Sequence, residues 1–125
     1  MQYKSPKNTE KYEWTQHAVI KMKQYGLTAQ RILRVVKNPQ RTEEGIVKNT
    51  IAVMQPSSFS TKDGKRVWNR EIWAMYQIKG KSKKEEGKIF GRQRIRLISA
   101  WRYPGVSPKR DPIPDDILRE LDSML

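Results

Sequence analysis

The chain has 125 residues, and its 26 Lys and Arg outnumber 13 Asp and Glu to give a net charge of +13 with the one His counted as neutral. The absence of Cys, together with a single His, excludes zinc fingers, thiol nucleophiles and His-based metal clusters. So large a charge exceeds what solubility requires of a small domain, and it predicts salt-sensitive contact with a phosphate polyanion.

Length and apolar content predict one domain spanning residues 1–125. Hydrophobic residues make up 36% of the chain, a low share that four Trp and five Tyr partly offset because large rings bury much apolar area. No apolar run approaches the roughly 18 residues that cross a bilayer, and the basic start of the chain lacks the apolar segment of a signal peptide. We therefore expect no membrane partner and, because Cys is absent, a cytoplasmic protein.

Two short helices are predicted near the N-terminus, after a polar and frayed segment over residues 1–11. Thr15 is a good N-cap for the first helix, and Gly26 is a good C-cap. Thr28 caps a second helix, which Asn38-Pro39 ends because the residue before proline avoids the α region. The apolar positions recur at helical spacing. They are Trp14, Ala18, Met22 and Tyr25 in the first helix, and Ala29, Ile32, Leu33 and Val36 in the second.

Residues 41–103 are predicted to form an antiparallel sheet of about four strands. Strands over 41–44 and 50–55 surround a turn at Gly45, and residues 56–66 form a loop with a turn at Asp63-Gly64. A longer strand over 70–78 alternates in its apolar residues. Its two faces carry Ile72, Ala74, Tyr76 and Ile78 on one side, and Trp73 and Met75 on the other.

A basic segment precedes the most regular strand. Residues 79–91 contain five Lys and three Gly, which predicts a long, mobile hairpin loop. In the strand over 92–102, alternation predicts one face with Ile95, Leu97, Ser99 and Trp101, and another with Arg94, Arg96, Ile98, Ala100 and Arg102.

The remaining residues, 104–125, contain four prolines and then a short helix that Asp115 or Asp116 opens. The residues expected to dock this helix are Ile117, Leu118, Leu121 and Met124. The sum is an α+β fold with two N-terminal helices, an antiparallel sheet and a C-terminal helix.

Three stretches of the chain are similar to a known family. They are residues 12–39, the strand pair IAVM and EIWAMYQI, and RIRLISAWR at 94–102. Together they resemble the BrnT-type ribonuclease toxins and an uncharacterised relative of them within the RelE-like ribonuclease superfamily. The relative's motifs match His17-Ala18, Lys21 or Lys23, Gly26-Leu27-Thr28 and Asn38-Pro39.

The resemblance covers about residues 12–103. It implies a RelE-like fold, RNA cleavage without a metal or cofactor and, for true toxins, an acidic antitoxin protein as partner. The chain departs from the compact toxins in its long loops over 56–69 and 79–91 and in its tail. These departures bear more on the toxin role than on the fold.

Metal-free RNA cleavage needs a group that takes the 2′-hydroxyl proton, a group that protonates the leaving oxygen, and cations that stabilise the transition state. His17 and Lys21 would share a polar face of the first helix, and Arg is suited to binding two phosphate oxygens at once. RelE-like enzymes use Lys, Arg and Tyr in these roles. The candidate catalytic residues are His17, Lys21, Arg96 and Arg102.

Further residues are candidates for RNA binding, with RNA as the expected partner. Trp68, Trp73 and Trp101 are expected in the core more often than on a base, and Trp68 is the best candidate among them to stack on a base. Tyr103 is expected either to contact RNA or to pack under the Pro-rich loop. Glu43 and Glu44 point to opposite faces of a strand, so no metal site is predicted. The other candidates are Arg92, Arg94, Lys81, Lys83 and Lys84.

Three functions therefore stay open at this point. The first is a toxin-like endoribonuclease that works without a metal. The second is a non-catalytic RNA- or DNA-binding module that shares the basic face, and the third is a nucleic-acid-associated component of a larger assembly. Substrate sequence and oligomeric state are not encoded in any motif of the chain.

Overall fold

The computed structural model describes residues 3–80 and 93–124, and the backbone of 83–85 and 88–90 between them. It contains three helices and nine strands over these residues. The helices are α1 Gln16–Tyr25, α2 Ala29–Lys37 and α3 Asp115–Met124. The strands are β1 Tyr12–Trp14, β2 Arg41–Glu44, β3 Ile51–Pro56, β4 Ser60–Lys62, β5 Lys65–Val67, β6 Arg70–Lys79, β7 Lys83–Glu85, β8 Lys88–Phe90 and β9 Arg94–Pro104.

The main sheet has five strands in the order β1-β9-β6-β3-β2. All neighbours are antiparallel except β1, which pairs with β9 in parallel. The predicted α+β class is confirmed, with one strand more than expected. The extra strand is β1, at residues assigned from sequence to the approach to α1.

Both N-terminal helices have the predicted caps. The Thr15 hydroxyl accepts a hydrogen bond from the amide of Ala18, and Thr28 does the same for Arg31. Gly26 ends α1 with φ at +66°, a left-handed conformation that glycine adopts without steric cost. These caps depend only on neighbouring residues, which is why the sequence predicts them.

Residues 3–11 are tied to the fold rather than frayed as predicted. The Tyr3 hydroxyl donates to the carbonyl of Leu27, and the Asn8 side-chain oxygen accepts from the amide of Trp14. The amide of Ile95 in β9 donates to the carbonyl of Lys11. These bonds bring the segment alongside β9 and α1.

Two apolar clusters cover the two faces of the main sheet. Helices α1 and α2 pack over one face, α1 against β9 and α2 against β6 and β3, and Ile72 and Ala74 of β6 belong to this cluster, as the alternation of β6 predicts. Helix α3 packs over the other face through Ile117 and Leu121, against Trp73 and Trp101, whose rings stack with centroids 6.0 Å apart. Leu118 and Met124, which were expected to dock α3, are exposed instead, as is Ile78 near the end of β6.

Strand β9 contains a bulge that overturns the predicted faces. Met75 pairs with Ser99 and Tyr76 pairs with Leu97, so Ile98 is an extra residue opposite β6. Leu97 and Ala100 consequently pack in the α1/α2 cluster, whereas Ile98 and Trp101 pack in the α3 cluster. Arg94 and Arg96 precede the bulge and Arg102 follows it, so the three arginines do not share one face.

A buried carboxylate fixes the start of β6. Glu71 is fully buried, and its oxygens accept hydrogen bonds from the indole nitrogens of Trp68 and Trp73 at 2.8 and 2.9 Å. They also accept from the hydroxyl of Ser107 at 2.6 Å, and the Arg41 guanidinium lies 3.6 Å away. A buried carboxylate is tolerated when its oxygens are paired in this way.

The predicted loop over residues 56–66 contains a β-hairpin. Strands β4 and β5 pair around Asp63 and Gly64, whose φ angles of +52° and +75° are typical of a type I′ turn. Strands β7 and β8 also pair, within the predicted basic hairpin loop. The side chains of residues 81–92, and with them the prediction of a mobile loop, lie outside the described part of the chain.

Candidate nucleic-acid interface

His17 and Lys21 lie in a compact network with helix α3. The Lys21 ammonium, on a residue only 5% exposed, donates to Glu120 at 2.8 Å and to Gln24 at 3.1 Å. One ring nitrogen of His17, Nδ1, lies 3.4 Å from the Glu120 carboxylate, and the other, Nε2, lies 3.0 Å from the hydroxyl of Ser99. The network joins α1, β9 and α3.

The order of Ser99, His17 and Glu120 in this network is that of a nucleophile, a base and an acid. Ser99, however, is fully buried, so its hydroxyl cannot reach a substrate. Burial is the largest cause that lowers the pKa of His17, ahead of Glu120, which raises it, and Lys21, which lowers it. The network is therefore built to join elements of the fold, with its histidine held towards the neutral form.

The two arginines predicted to act with His17 are fixed apart from each other. Arg96 forms an ion pair with Glu13 at 3.1 Å, just before α1, and Arg94 lies 3.7 Å from the same carboxylate. Arg102 instead donates to the carbonyl of Tyr25, at the other end of α1. A helix of ten residues is about 15 Å long. The four predicted catalytic residues thus do not converge on one point.

The remaining residues predicted to bind nucleic acid are Trp68, Tyr103 and four basic residues between positions 81 and 92. Trp68 is half-buried, and its ring nitrogen is held by Glu71. Tyr103 packs against the α3 cluster. The residues whose side chains lie outside the described part of the chain are Lys81, Lys83, Lys84 and Arg92.

A cationic pocket lies where α2, β3 and the β4–β5 hairpin meet, with a volume of about 390 Å³. Three arginines, Arg31, Arg34 and Arg66, line it, and none of its lining residues is acidic. Its other lining residues include amides and hydroxyls that can hydrogen-bond an anion: Asn38, Gln40, Gln55, Ser57 and Ser58. We call this the basic pocket.

Gln55 holds one arginine of the basic pocket, Arg31, against the sheet. Its side-chain oxygen accepts from the Arg31 guanidinium, which also donates to the carbonyl of Pro56 at 3.2 Å. Its nitrogen donates to the carbonyls of Arg34 and Asn38, at the end of α2. The glutamine thus joins the last turn of α2 to β3 and holds Arg31 in place.

The electrostatics of the basic pocket favour an anion. The pKa of Arg31 is lowered from its ordinary value by burial first, and then by the positive charges of Arg34 and Arg102. An anion bound among these groups would relieve that repulsion. Arg102, predicted from sequence as catalytic, therefore contributes charge next to this pocket.

The β4–β5 hairpin brings an aromatic ring to the rim of the basic pocket. Phe59, which is 51% exposed, lies under the Arg66 guanidinium, whose carbon is 4.2 Å from the ring centroid. Arg66 also donates to the side-chain oxygen of Gln40 at 3.1 Å. The bond to Gln40 ties the hairpin to the segment between α2 and β2.

Phe59 also lines a second cavity of about 400 Å³, whose lining carries no charged residue. We call it the aromatic groove. Phe59 and Ser58 line both cavities, so the two are adjacent. The remaining lining residues of the groove are Ser60, Val67, Trp68 and Asn69.

Sequence reasoning missed most of this interface. Arg31 and Arg34 are three positions apart and face the same side of α2, a spacing that the sequence displays. Arg66 and Phe59 carry no such signal, because the hairpin that presents them was predicted as a loop. Trp68 was singled out from sequence as a base-stacking candidate, and Arg102 as a catalytic residue.

Two features, a metal-ligand cluster and a membrane-spanning helix, are not found among the residues that the structure describes. These residues contain no cluster of three or more His, Asp or Glu side chains that could hold a metal ion. Their helices include none long and apolar enough to cross a membrane.

Comparison of the chain with protein-family models, with curated proteins and with solved structures gives no match.

Proposed function

We propose that this chain is a small RNA-binding protein that holds the RNA backbone at the basic pocket. The observation that carries the proposal is the convergence of Arg31, Arg34 and Arg66 on one concave surface whose lining includes no carboxylate. Arg suits phosphate because its planar guanidinium donates two parallel hydrogen bonds. The net charge of +13 adds long-range attraction to any polyanion.

The choice of RNA over other polyanions is supported by the resemblance to BrnT-type ribonuclease toxins over residues 12–103. An acidic antitoxin and a cytoplasmic location belong to the same proposal, since carboxylates readily mask a basic surface. Cleavage is the less favoured part. The groups predicted for it are bound to Glu120, Glu13 and the end of α1 instead of to one another.

The test is a binding titration of labelled RNA, followed by fluorescence anisotropy at several salt concentrations. The binding site is tested with the double variant Arg34→Ala/Arg66→Ala. Arg34 and Arg66 are both exposed, so the fold should persist when they are replaced. Loss of two phosphate contacts should weaken binding and flatten the slope of log affinity against log salt by about 1.4, at roughly 0.7 per contact.

The matched control removes the same charge elsewhere, with Lys48→Ala/Arg119→Ala, two exposed residues outside the basic pocket. This control should keep most of the affinity and slope. Equal losses in the two double variants would refute the basic pocket as the binding site.

The same samples, incubated with RNA in EDTA, decide between binding and cleavage. Intact RNA is the result expected for a binding module. Products with 2′,3′-cyclic ends that His17→Ala abolishes, in a variant shown to be folded, would instead support the ribonuclease hypothesis.

A further inference from the structure

The aromatic groove offers binding groups that the basic pocket lacks. Its lining is uncharged, and it offers Phe59 and Trp68 as ring surfaces, with Asn69, Ser58 and Ser60 as hydrogen-bonding groups. The basic pocket, which shares Phe59 with it, offers three guanidinium groups. A ligand that fills both must carry an anionic group next to a flat, apolar group with polar edges. A nucleotide is such a ligand.

The two aromatic residues differ in how they are held. Trp68 is fixed, because its indole nitrogen donates to the buried Glu71 at 2.8 Å. Phe59 is more than half exposed, and the Arg66 guanidinium lies over one face of its ring. A base that stacks on Phe59 would therefore bury an exposed apolar ring, while Arg66 stays free to bind the adjacent phosphate.

Paired bases could not use this arrangement. In a duplex the faces of the bases are stacked on their neighbours, whereas in a single strand they can turn outward onto aromatic side chains. We propose that the chain recognises single-stranded polynucleotide, with a phosphate in the basic pocket and an unpaired base stacked on Phe59 in the aromatic groove. This inference rests on the proposed function, because it requires a phosphate at the basic pocket.

The experiment compares three labelled ligands of equal length by anisotropy: a single-stranded oligouridine, the same backbone with abasic sites, and a duplex. The wild-type chain should bind the oligouridine more tightly than the abasic strand by about 5- to 150-fold for each stacked base. Phe59→Ala should remove that difference without changing the salt dependence. Phe59→Tyr, which keeps the ring, should retain it.

Ile78→Ala is the matched control, because Ile78 is 48% exposed and lines neither cavity. It should bind all three ligands like the wild type. A second readout does not depend on the Phe59 variants. Trp14, Trp73 and Trp101 are buried, so quenching of tryptophan fluorescence by the oligouridine should come from Trp68 and disappear in Trp68→Phe.

Equal affinity for the three ligands in the wild type, with binding still lost in Arg34→Ala/Arg66→Ala, would overturn this inference and leave the proposed function standing. Unchanged binding in that double variant would overturn the proposed function itself. Oligodeoxythymidine serves as the DNA form of the single strand. Equal binding of both forms supports a single-strand site of either chemistry, and tighter binding of the RNA form supports the site as one for RNA.

Discussion

The Lys21 ammonium lies 2.8 Å from the carboxylate of Glu120, a residue 99 positions later in the chain. The lysine side chain is almost fully buried, whereas the glutamate is 39% exposed. This pair therefore holds helix α3 to helix α1 at a point where only one of the two charges still has access to water.

Removal of the acidic partner should destabilise the fold. We expect Glu120→Gln to lower the free energy of unfolding by about 1–3 kcal/mol, because a buried ammonium loses its counter-ion while partial exposure of the site softens the loss. Urea denaturation measures this change. In Lys21→Met the charge is absent, so adding Glu120→Gln to that variant should cost much less. Additive losses in the double variant would contradict the coupling.

His17 should make stability depend on pH. Its pKa in the fold is lowered below the ordinary 6.5, mainly by burial, so below that pH the unfolded chain binds a proton that the folded chain resists. The free energy of unfolding should consequently fall as the pH drops below about 6.5, and recover above it. The contribution of His17 is measured as the difference in the free energy of unfolding between the wild type and His17→Gln over this pH range. If the two pH profiles run parallel, the histidine is not the source.

Glu71 should be among the residues most sensitive to substitution. In Glu71→Gln, the amide nitrogen would face the indole N–H of either Trp68 or Trp73, a group that can only donate a hydrogen bond. We expect a loss of about 2–4 kcal/mol in the free energy of unfolding, measured by denaturation. Glu43→Gln is the control, because Glu43 also lies beside Arg41 but is not fully buried. It should lower the free energy of unfolding by less. The reverse order would contradict the role of Glu71.

The turn of the β4–β5 hairpin should control binding separately from global stability. Gly64 has φ at +75°, and a Cβ there meets no atom within 4 Å, so Gly64→Ala carries only the backbone cost of about 1–2 kcal/mol. Both strands of the hairpin are exposed throughout. We expect faster amide exchange in the hairpin and weaker RNA binding, with the melting temperature nearly unchanged. A large fall in melting temperature would show that the hairpin supports the core.

Local sequence signals predicted the helices well, because each cap involves residues two to four positions apart. Thr15, Thr28 and Gly26 all act as expected. The bulge at Ile98 had no such signal, since it depends on how β9 pairs with Met75 and Tyr76 in another strand. Strand β1 was missed for the same reason, because three residues form a strand here only through their pairing with β9.

The candidate site was harder to predict than the fold. It combines Arg31 and Arg34 of α2 with Arg66 of the hairpin, and only tertiary structure brings these elements together. The alternation of β9 grouped Arg96 with Arg102, and one extra residue between them was enough to separate them. The hairpin itself had a clear turn signal at Asp63-Gly64, but its strands lack the apolar alternation that marks a half-buried strand.

The position of β9 between β1 and β6 also sets the order in which the chain can fold. During synthesis, the hairpin of β3 and β6 and the two N-terminal helices are complete by residue 79, yet Trp14 and Ala18 have no strand to cover them until residues 94–104 follow. Contacts that join positions about 80 residues apart close slowly, because a long loop must be ordered first. The growing chain therefore exposes an apolar helix face beside a strongly basic surface until its last long strand is made.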